Sequence, residues 1–304
     1  MPSTAGLASR LIKQHRLQIV KYLAHPERQF LVDKILSIAL QARGYNNYRD
    51  HEESGEAHLV RALARIGALK TCVDVGANVG SFAELLLENG ADQVFAFEPH
   101  PGHENALRAL ANEFPGRLSI HESAVGSVSG AANLFFSESA LSHASLAEEV
   151  NRIGYVSNDQ AVRVQVTSID DFVENVEVEN IDFLKIDTEG FEDEVLAGAR
   201  DLLAHRPPKA ILLEFNQHQL VRGHSLLSLS GHLDGFRSFQ LLRGNSGVRS
   251  AEANTPEANI FHFSNFAFVR NDIADTFLES SRHLSRQRLS PAGRARSGRG
   301  ARAR

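Results

Sequence analysis

Hydrophobic positions change period along this chain, and the change divides it. In residues 7–43, Leu7, Leu11, Ile12, Ile19, Val20 and Leu23 recur near helical spacing, as do Phe30, Leu31, Ile35, Ile38 and Ala39. That spacing predicts two amphipathic helices. Pro26 separates them, since it has no N–H to give to a helix interior. Gly44-Tyr45-Asn46-Asn47 then marks a loop. From residue 70 the pattern becomes short continuous apolar runs alternating with helical stretches. The runs predict strands over 70–75, 93–97, 118–121, 132–136, 162–166, 181–186, 209–215, 239–242 and 261–269. Helices are predicted over 81–88, 103–114 and 192–204, and Asp170-Asp171 reads as the start of a short helix at the mouth of a crevice. Such alternation implies a doubly wound α/β fold, with a mostly parallel sheet covered on both faces. The last two strands have no helix between them and are expected to pair antiparallel. The expected organisation is a helical extension over residues 1–50, an α/β domain over 51–272, and a basic disordered tail over 273–304.

Composition narrows the class. The chain has 304 residues, 42% of them hydrophobic, with 22 glycines and a single cysteine, Cys72. That is enough apolar material for a core, and it excludes an internal disulfide or a cysteine-cluster metal site. No apolar run approaches the ~18 residues of a membrane span. Arg10, Lys13, Gln14, His15 and Arg16 interrupt any leader-like apolar stretch, so no secretory signal is predicted and a cytoplasmic location is expected. Charge is unevenly placed: residues 281–304 carry eight arginines and no acid, so the other 280 residues hold a net −13 of the formal total of −5. An acidic body argues against nucleic acid as a partner, because phosphate binding needs a basic face.

The candidate chemistry lies at Val73-Asp74-Val75-Gly76-Ala77-Asn78-Val79-Gly80-Ser81, a strand-to-helix turn of the kind that binds ligands in doubly wound sheets. A dinucleotide fingerprint requires G-x-G-x-x-G. Here Asn78 stands in the second glycine position and Ser81 in the third, so an oxidoreductase is disfavoured. No Gly-Lys-Ser/Thr follows, so the turn is not a Walker loop. Asp74, Gly76 and Gly80 instead form D-x-G-x-x-x-G. An acid before the first glycine would repel a pyrophosphate but suits a cationic ligand, and S-adenosylmethionine carries both a sulfonium and an ammonium. Glu98 ends the next strand, where a carboxylate can accept ribose hydroxyls. The cofactor set expected on these grounds is Asp74, Gly76, Asn78, Gly80 and Glu98, with Asp187 on the facing strand end.

In order along the chain, Ser54-Gly55-Glu56, Val73 to Gly80, Phe97-Glu98-Pro99, Ser123-Ala124-Val125-Gly126, Ser142-His143-Ala144-Ser145-Leu146, Thr167 to Phe172 and Ile181 to Glu192 make a specific series. With Leu196 to Ala199 and a closing Glu214, it resembles the FkbM family of S-adenosylmethionine-dependent methyltransferases over roughly residues 54–216. The resemblance implies a seven-stranded class I methyltransferase sheet (Rossmann-like) with an antiparallel last strand. It also implies O-methylation of a hydroxyl on a sugar, glycan or polyketide-type small molecule. The alternative is a non-catalytic methyltransferase-like binding module, against which stands an acid at each expected strand end.

A hydroxyl is too weak an acid to attack unaided, so a base or a metal is required. The strand ends offer Asp187 and Glu189, then Glu214, Asn216 and His218, and His143 is within reach of the same loops. Two arrangements follow. Either Asp187, Glu214 and Asn216 hold Mg2+, which carboxylate and amide oxygens suit, or a carboxylate or imidazole among Asp187, Glu189 and His218 removes the proton. Lys185 is expected to pair with an acid. Glu192 and Asp193 are expected to serve the dipole of the helix they begin. The N-terminal helices are candidates for packing on a sister chain.

Overall fold

A computed structural model describes residues 4–289, in two compact units divided between Arg43 and Gly44. The first holds a helix over Thr4–Leu23, a 3-10 turn at Pro26–Arg28 and a helix over Gln29–Ala42, with the break at Pro26 as the sequence predicts. On the second helix Phe30, Leu31, Ile35, Leu36 and Ile38 are exposed. No helix among the described residues is long and apolar enough to cross a membrane.

The second unit is the α/β domain. Its strands are β1 (Thr71–Val75), β2 (Gln93–Phe97), β3 (Leu118–His121), β4 (Ala124–Val125), β5 (Gly130–Phe136) and β6 (Gln160–Thr167). They continue as β7 (Phe183–Ile186), β8 (Ala210–Phe215), β9 (Phe236–Leu241), β10 (Val248–Ser250) and β11 (Ser264–Arg270). The main sheet runs β10-β9-β11-β8-β7-β1-β2-β3. The neighbours from β8 through β7, β1 and β2 to β3 pair in parallel, and β11 is antiparallel to both β8 and β9. The sheet therefore has eight strands rather than the seven expected. The extra one, β10, pairs antiparallel with β9 at the edge, inside a stretch expected to be loop. A separate three-stranded sheet, β4-β6-β5, stands beside it.

Strand side chains alternate between faces, and the core divides accordingly. Cys72 and Phe183 join Leu59, Phe82, Leu86, Leu107 and Phe277 on one face. Val73, Val75, Leu184 and Ile186 join Phe172, Val195, Leu202 and Leu226 on the other. The first face also carries the buried polar partners Asp74 and Lys185, which lie in register on β1 and β7.

Three expectations are corrected by packing. The helix expected over 192–204 is two helices, Glu192–Ala197 and Arg200–His205. Gly198 lies so close to another turn that a Cβ there would be 2.0 Å from the Gly126 carbonyl oxygen. Asp170 does begin a helix, Ile169–Asn175, but not at the crevice mouth: its carboxylate accepts from the Asp201 and Leu202 N–H groups and caps the second of those two helices. The tail expected to be disordered from 273 contains a helix over Ala274–Leu289, with Phe277 fully buried and Ser281 Oγ 2.9 Å from His58 Nε2. The rest of the expected tail, residues 290–304, lies outside the described residues.

Candidate active site

The turn after β1 is shaped by close approach of main chain. Gly76 has φ +78, and a Cβ there would lie 1.8 Å from the carbonyl oxygen of Asp187, so the β1 and β7 exits touch only because residue 76 is glycine. Asn78 also has positive φ, and its N–H donates to Glu98 Oε2 at 2.7 Å. Glu98 Oε1 accepts from the His100 N–H at 2.8 Å and lies 3.3 Å from His103 Nδ1. These strand ends enclose a cavity of about 200 Å3. Gly76, Asn78 and Glu98 form one wall, and Asp187, Thr188 and Glu189 the facing one. Val125 and Leu134 of the small sheet and residues 141–146 cover it.

Two of the expected cofactor residues lie elsewhere. Asp74 is fully buried outside the cavity wall, with its carboxylate 3.3 Å from Lys185 Nζ. Gly80 begins the helix Ser81–Glu88 at φ +89, and its missing Cβ faces Leu107 and Leu110 of the neighbouring helix, not the cavity.

Lys185 ties the two strand exits, donating to the Gly76 carbonyl at 3.5 Å. Its ammonium is 3.0 Å from Asp187 Oδ2 as well as 3.3 Å from Asp74, and it lies over the Phe82 ring. Burial alone would lower its pKa, but the carboxylates of Asp187, Asp74 and Glu56 outweigh that and raise it. It is the lysine paired with acids that the sequence suggests, but in mid-sheet. Sequence reasoning did not single out the layer beneath it. Glu56 is buried, and its Oε2 accepts from Ser54 Oγ at 2.7 Å and lies 2.6 Å from His51 Nδ1, a ring that reaches on through Nε2 to Ser81. The only signal was Ser54-Gly55-Glu56 itself.

The wall after β7 is acidic. Burial pushes the Asp187 carboxyl up to about 6, helped by Glu189 and opposed by Lys185. Glu189 has φ +53 and lies 2.7 Å from His218 Nδ1 and 3.7 Å from His143 Nδ1. Burial would raise its carboxyl, but the two imidazoles prevail and bring it down to about 2. Glu214, at the end of β8, is raised well above the usual range by burial and by Asp187, Glu189 and Glu192. His218 is buried behind Glu189, outside the cavity wall.

Glu192 stands in the first turn of the helix Glu192–Ala197, as expected, and its carboxylate has a further task. It is buried, one oxygen accepts from the Thr188 N–H at 2.9 Å and the Gly190 N–H at 3.3 Å, and the other holds Gln219. It clamps the turn that carries Glu189. The expected Mg2+ ligands Asp187, Glu214 and Asn216 are engaged with other groups. One Asp187 oxygen is taken by Lys185, Asn216 Oδ1 accepts the His218 N–H, and the Asn216 amide nitrogen donates to Glu214.

The sequence matches the model of the methyltransferase FkbM domain over residues 74–237, more than half of the chain. The chain belongs to the FkbM methyltransferase family. It is 29% identical over 182 residues to the 2-O-methyltransferase NoeI of Sinorhizobium fredii, an alignment covering 56% of this chain and 72% of that protein. It is also 29% identical over 157 residues to the hexuronic acid methyltransferase AglP of Haloferax volcanii, covering 51% of this chain and 61% of that one. Among solved structures, the O-methyltransferase from Bacillus cereus in complex with SAH is 12% identical with a TM-score of 0.41, over 83% of this chain and 96% of that one. The FkbM match spans both cavity walls, from Asp74 to beyond His218.

Proposed function

We propose that this FkbM methyltransferase moves a methyl group from S-adenosylmethionine to a hydroxyl of a sugar or glycan. The observation that carries the reading is the placement of Glu98 and Asp187 on facing walls of one cavity, joined by the Gly76 turn. S-adenosylmethionine supplies an activated methyl on a sulfonium. The residues present fit it. Glu98, its carboxylate fixed by backbone N–H groups, is placed for the ribose hydroxyls. The acids after β7 offset the positive charge of the sulfonium and ammonium.

Asp187 is assigned to the acceptor. Lys185 holds one of its oxygens and leaves the other for a hydroxyl, whose proton it takes as the oxygen attacks the methyl carbon and the carbon–sulfur bond breaks. A sugar acceptor draws support from the relatives named above, a 2-O-methyltransferase and a hexuronic acid methyltransferase. Self-association through the helical unit draws support from its exposed Phe30, Leu31, Ile35 and Ile38.

The test pairs calorimetry with mass detection of methylated sugars. Wild type should bind S-adenosylmethionine and add one methyl to a uronic acid or glycan acceptor. Asp187→Asn keeps the shape and removes the base, so it should retain the cofactor while turnover falls ~10²–10⁴-fold. Near-normal turnover in that variant rules out Asp187 as the base, and no cofactor binding by wild type rules out the whole reading.

A further inference from the structure

Glu189, Glu214 and His218 each bring one donor atom to within 4.8 Å of the others, from three separate elements. Glu189 is on the turn after β7, Glu214 ends β8, and His218 is on the helix Gln217–Arg222. Each is fixed from outside the cluster. The clamp by Glu192 holds the turn of Glu189, the Asn216 amide donates to Glu214, and Asn216 Oδ1 accepts the His218 N–H at 2.7 Å. Such outer partners are what orient metal ligands.

A second, independent observation concerns the imidazole. The His218 side chain is only 2% exposed, yet neither ring nitrogen makes a hydrogen bond. Nδ1 is 2.7 Å from Glu189 Oε2, and that oxygen too lacks a hydrogen-bond partner. Glu189 Oε2 is thus the charged neighbour of Nδ1, while Nε2 has no polar partner among the described residues. A buried imidazole nitrogen left unsatisfied is costly. Charge points the same way. Asp187, Glu189, Glu192 and Glu214 are close enough to act on one another, while Lys185 is already shared between Asp74 and Asp187.

We infer that Glu189, Glu214 and His218 form a binding site for a divalent first-row transition metal ion such as Mn2+. Two carboxylates and an imidazole suit such an ion better than Mg2+ or Ca2+, which favour oxygen alone. Three protein ligands leave coordination positions open. Glu189 also lines the cavity, so an acceptor oxygen entering beside Asp187 can fill one of them. That role rests on the methyltransferase reading, but the site itself does not.

The experiment uses the full chain, stripped by a chelator and titrated with Mn2+ alone. Loss of the free-ion electron paramagnetic resonance signal should show one equivalent bound. Electron spin-echo modulation of the bound ion should carry a nitrogen signature. His218→Ala should abolish that signature, and Glu214→Gln should weaken binding ~10-fold or more. Asp193→Asn, in an acidic group outside the cluster, should leave binding unchanged. Glu214→Gln keeps the side-chain shape, so its metal-free melting temperature should match or exceed that of wild type, which separates lost ligation from lost fold. Absence of saturable Mn2+ binding, or binding that survives both cluster substitutions, overturns the site in favour of a metal-free Glu189–His218 pair. Cofactor calorimetry is run separately. Mn2+ binding without S-adenosylmethionine binding would sink the proposed function and leave the site standing, and the reverse result would do the opposite.

Discussion

At the end of β2 the Glu98 carboxylate accepts a backbone N–H on each oxygen. At the ends of β7 and β8, Glu189 and Glu214 accept no backbone N–H among the described residues, and each faces other carboxylates instead. Both rims belong to the same sheet edge and meet at Gly76. The first has its charge stabilised by main chain that is fixed before any ligand arrives, which suits a site that recognises a constant group such as a ribose diol. The second gathers several acids around one lysine and two imidazoles. Burial and mutual repulsion raise the Glu214 and Asp187 carboxyls there, which suits a rim where the cofactor's cationic end, an acceptor and an ion would meet. The difference shows where preorganisation stops and ligand-dependent assembly begins.

The strongest way to break this comparison is to separate the rims. In Gly76→Ala, the new Cβ would stand 1.8 Å from the Asp187 carbonyl oxygen at φ +78. Strain from a non-glycine residue held at positive φ costs ~1–3 kcal/mol, and the clash with backbone adds to it. We expect loss of cofactor binding together with a large drop in denaturant midpoint. A stable Gly76→Ala protein with normal affinity would mean that the two strand exits are not coupled through this contact.

A smaller effect is expected where only one rim is touched. Glu98→Ala removes charge-assisted hydrogen bonds worth ~1.5–3 kcal/mol, so calorimetry should show cofactor affinity falling ~10–100-fold. Mn2+ binding at the other rim should be unchanged, because Glu98 has no contact with Glu189, Glu214 or His218. Equal loss at both rims would show that they act as one unit.

Legibility of the chain followed the same division. The helix Ser81–Glu88 and the strands β2 and β3 were readable to the residue, because short apolar runs end at glycine, proline or charged turns. Edge strand β10 was not, since its three residues carry no buried apolar stripe. The helix Ala274–Leu289 was hidden by its arginines: Phe277 is fully buried and Leu284 packs on the core, but polar neighbours mask the period. The positions of Glu98 and Asp187 at strand ends were readable, and both line the cavity. Glu192 was placed in its first helical turn, but its clamp on the preceding turn was hidden, because such an acid looks the same whether it faces solvent or not. His218 was visible only as one of several histidines. Its pairing with Glu189 depends on how β7 and β8 lie side by side, which no local pattern encodes.

Gly80 gives the finest test, because one glycine loop serves both ligand and fold. Its φ of +89 and its place at the start of the helix Ser81–Glu88 are demands of the chain. A Cβ there meets Leu110 Cδ2 at 2.8 Å and Leu107 Cδ2 at 3.0 Å, the far ends of flexible side chains that can shift. The steric cost of Gly80→Ala is therefore modest, and the left-handed backbone adds ~1–2 kcal/mol. For a domain of this size that is a fall of roughly 2–8 °C in melting temperature. Cofactor affinity of the folded variant should stay near that of wild type, since the new methyl points away from the cavity. If calorimetry instead shows a loss comparable to that of Glu98→Ala with no change in melting, Gly80 belongs to the ligand wall, and the preorganised rim extends one helical turn further than its geometry indicates.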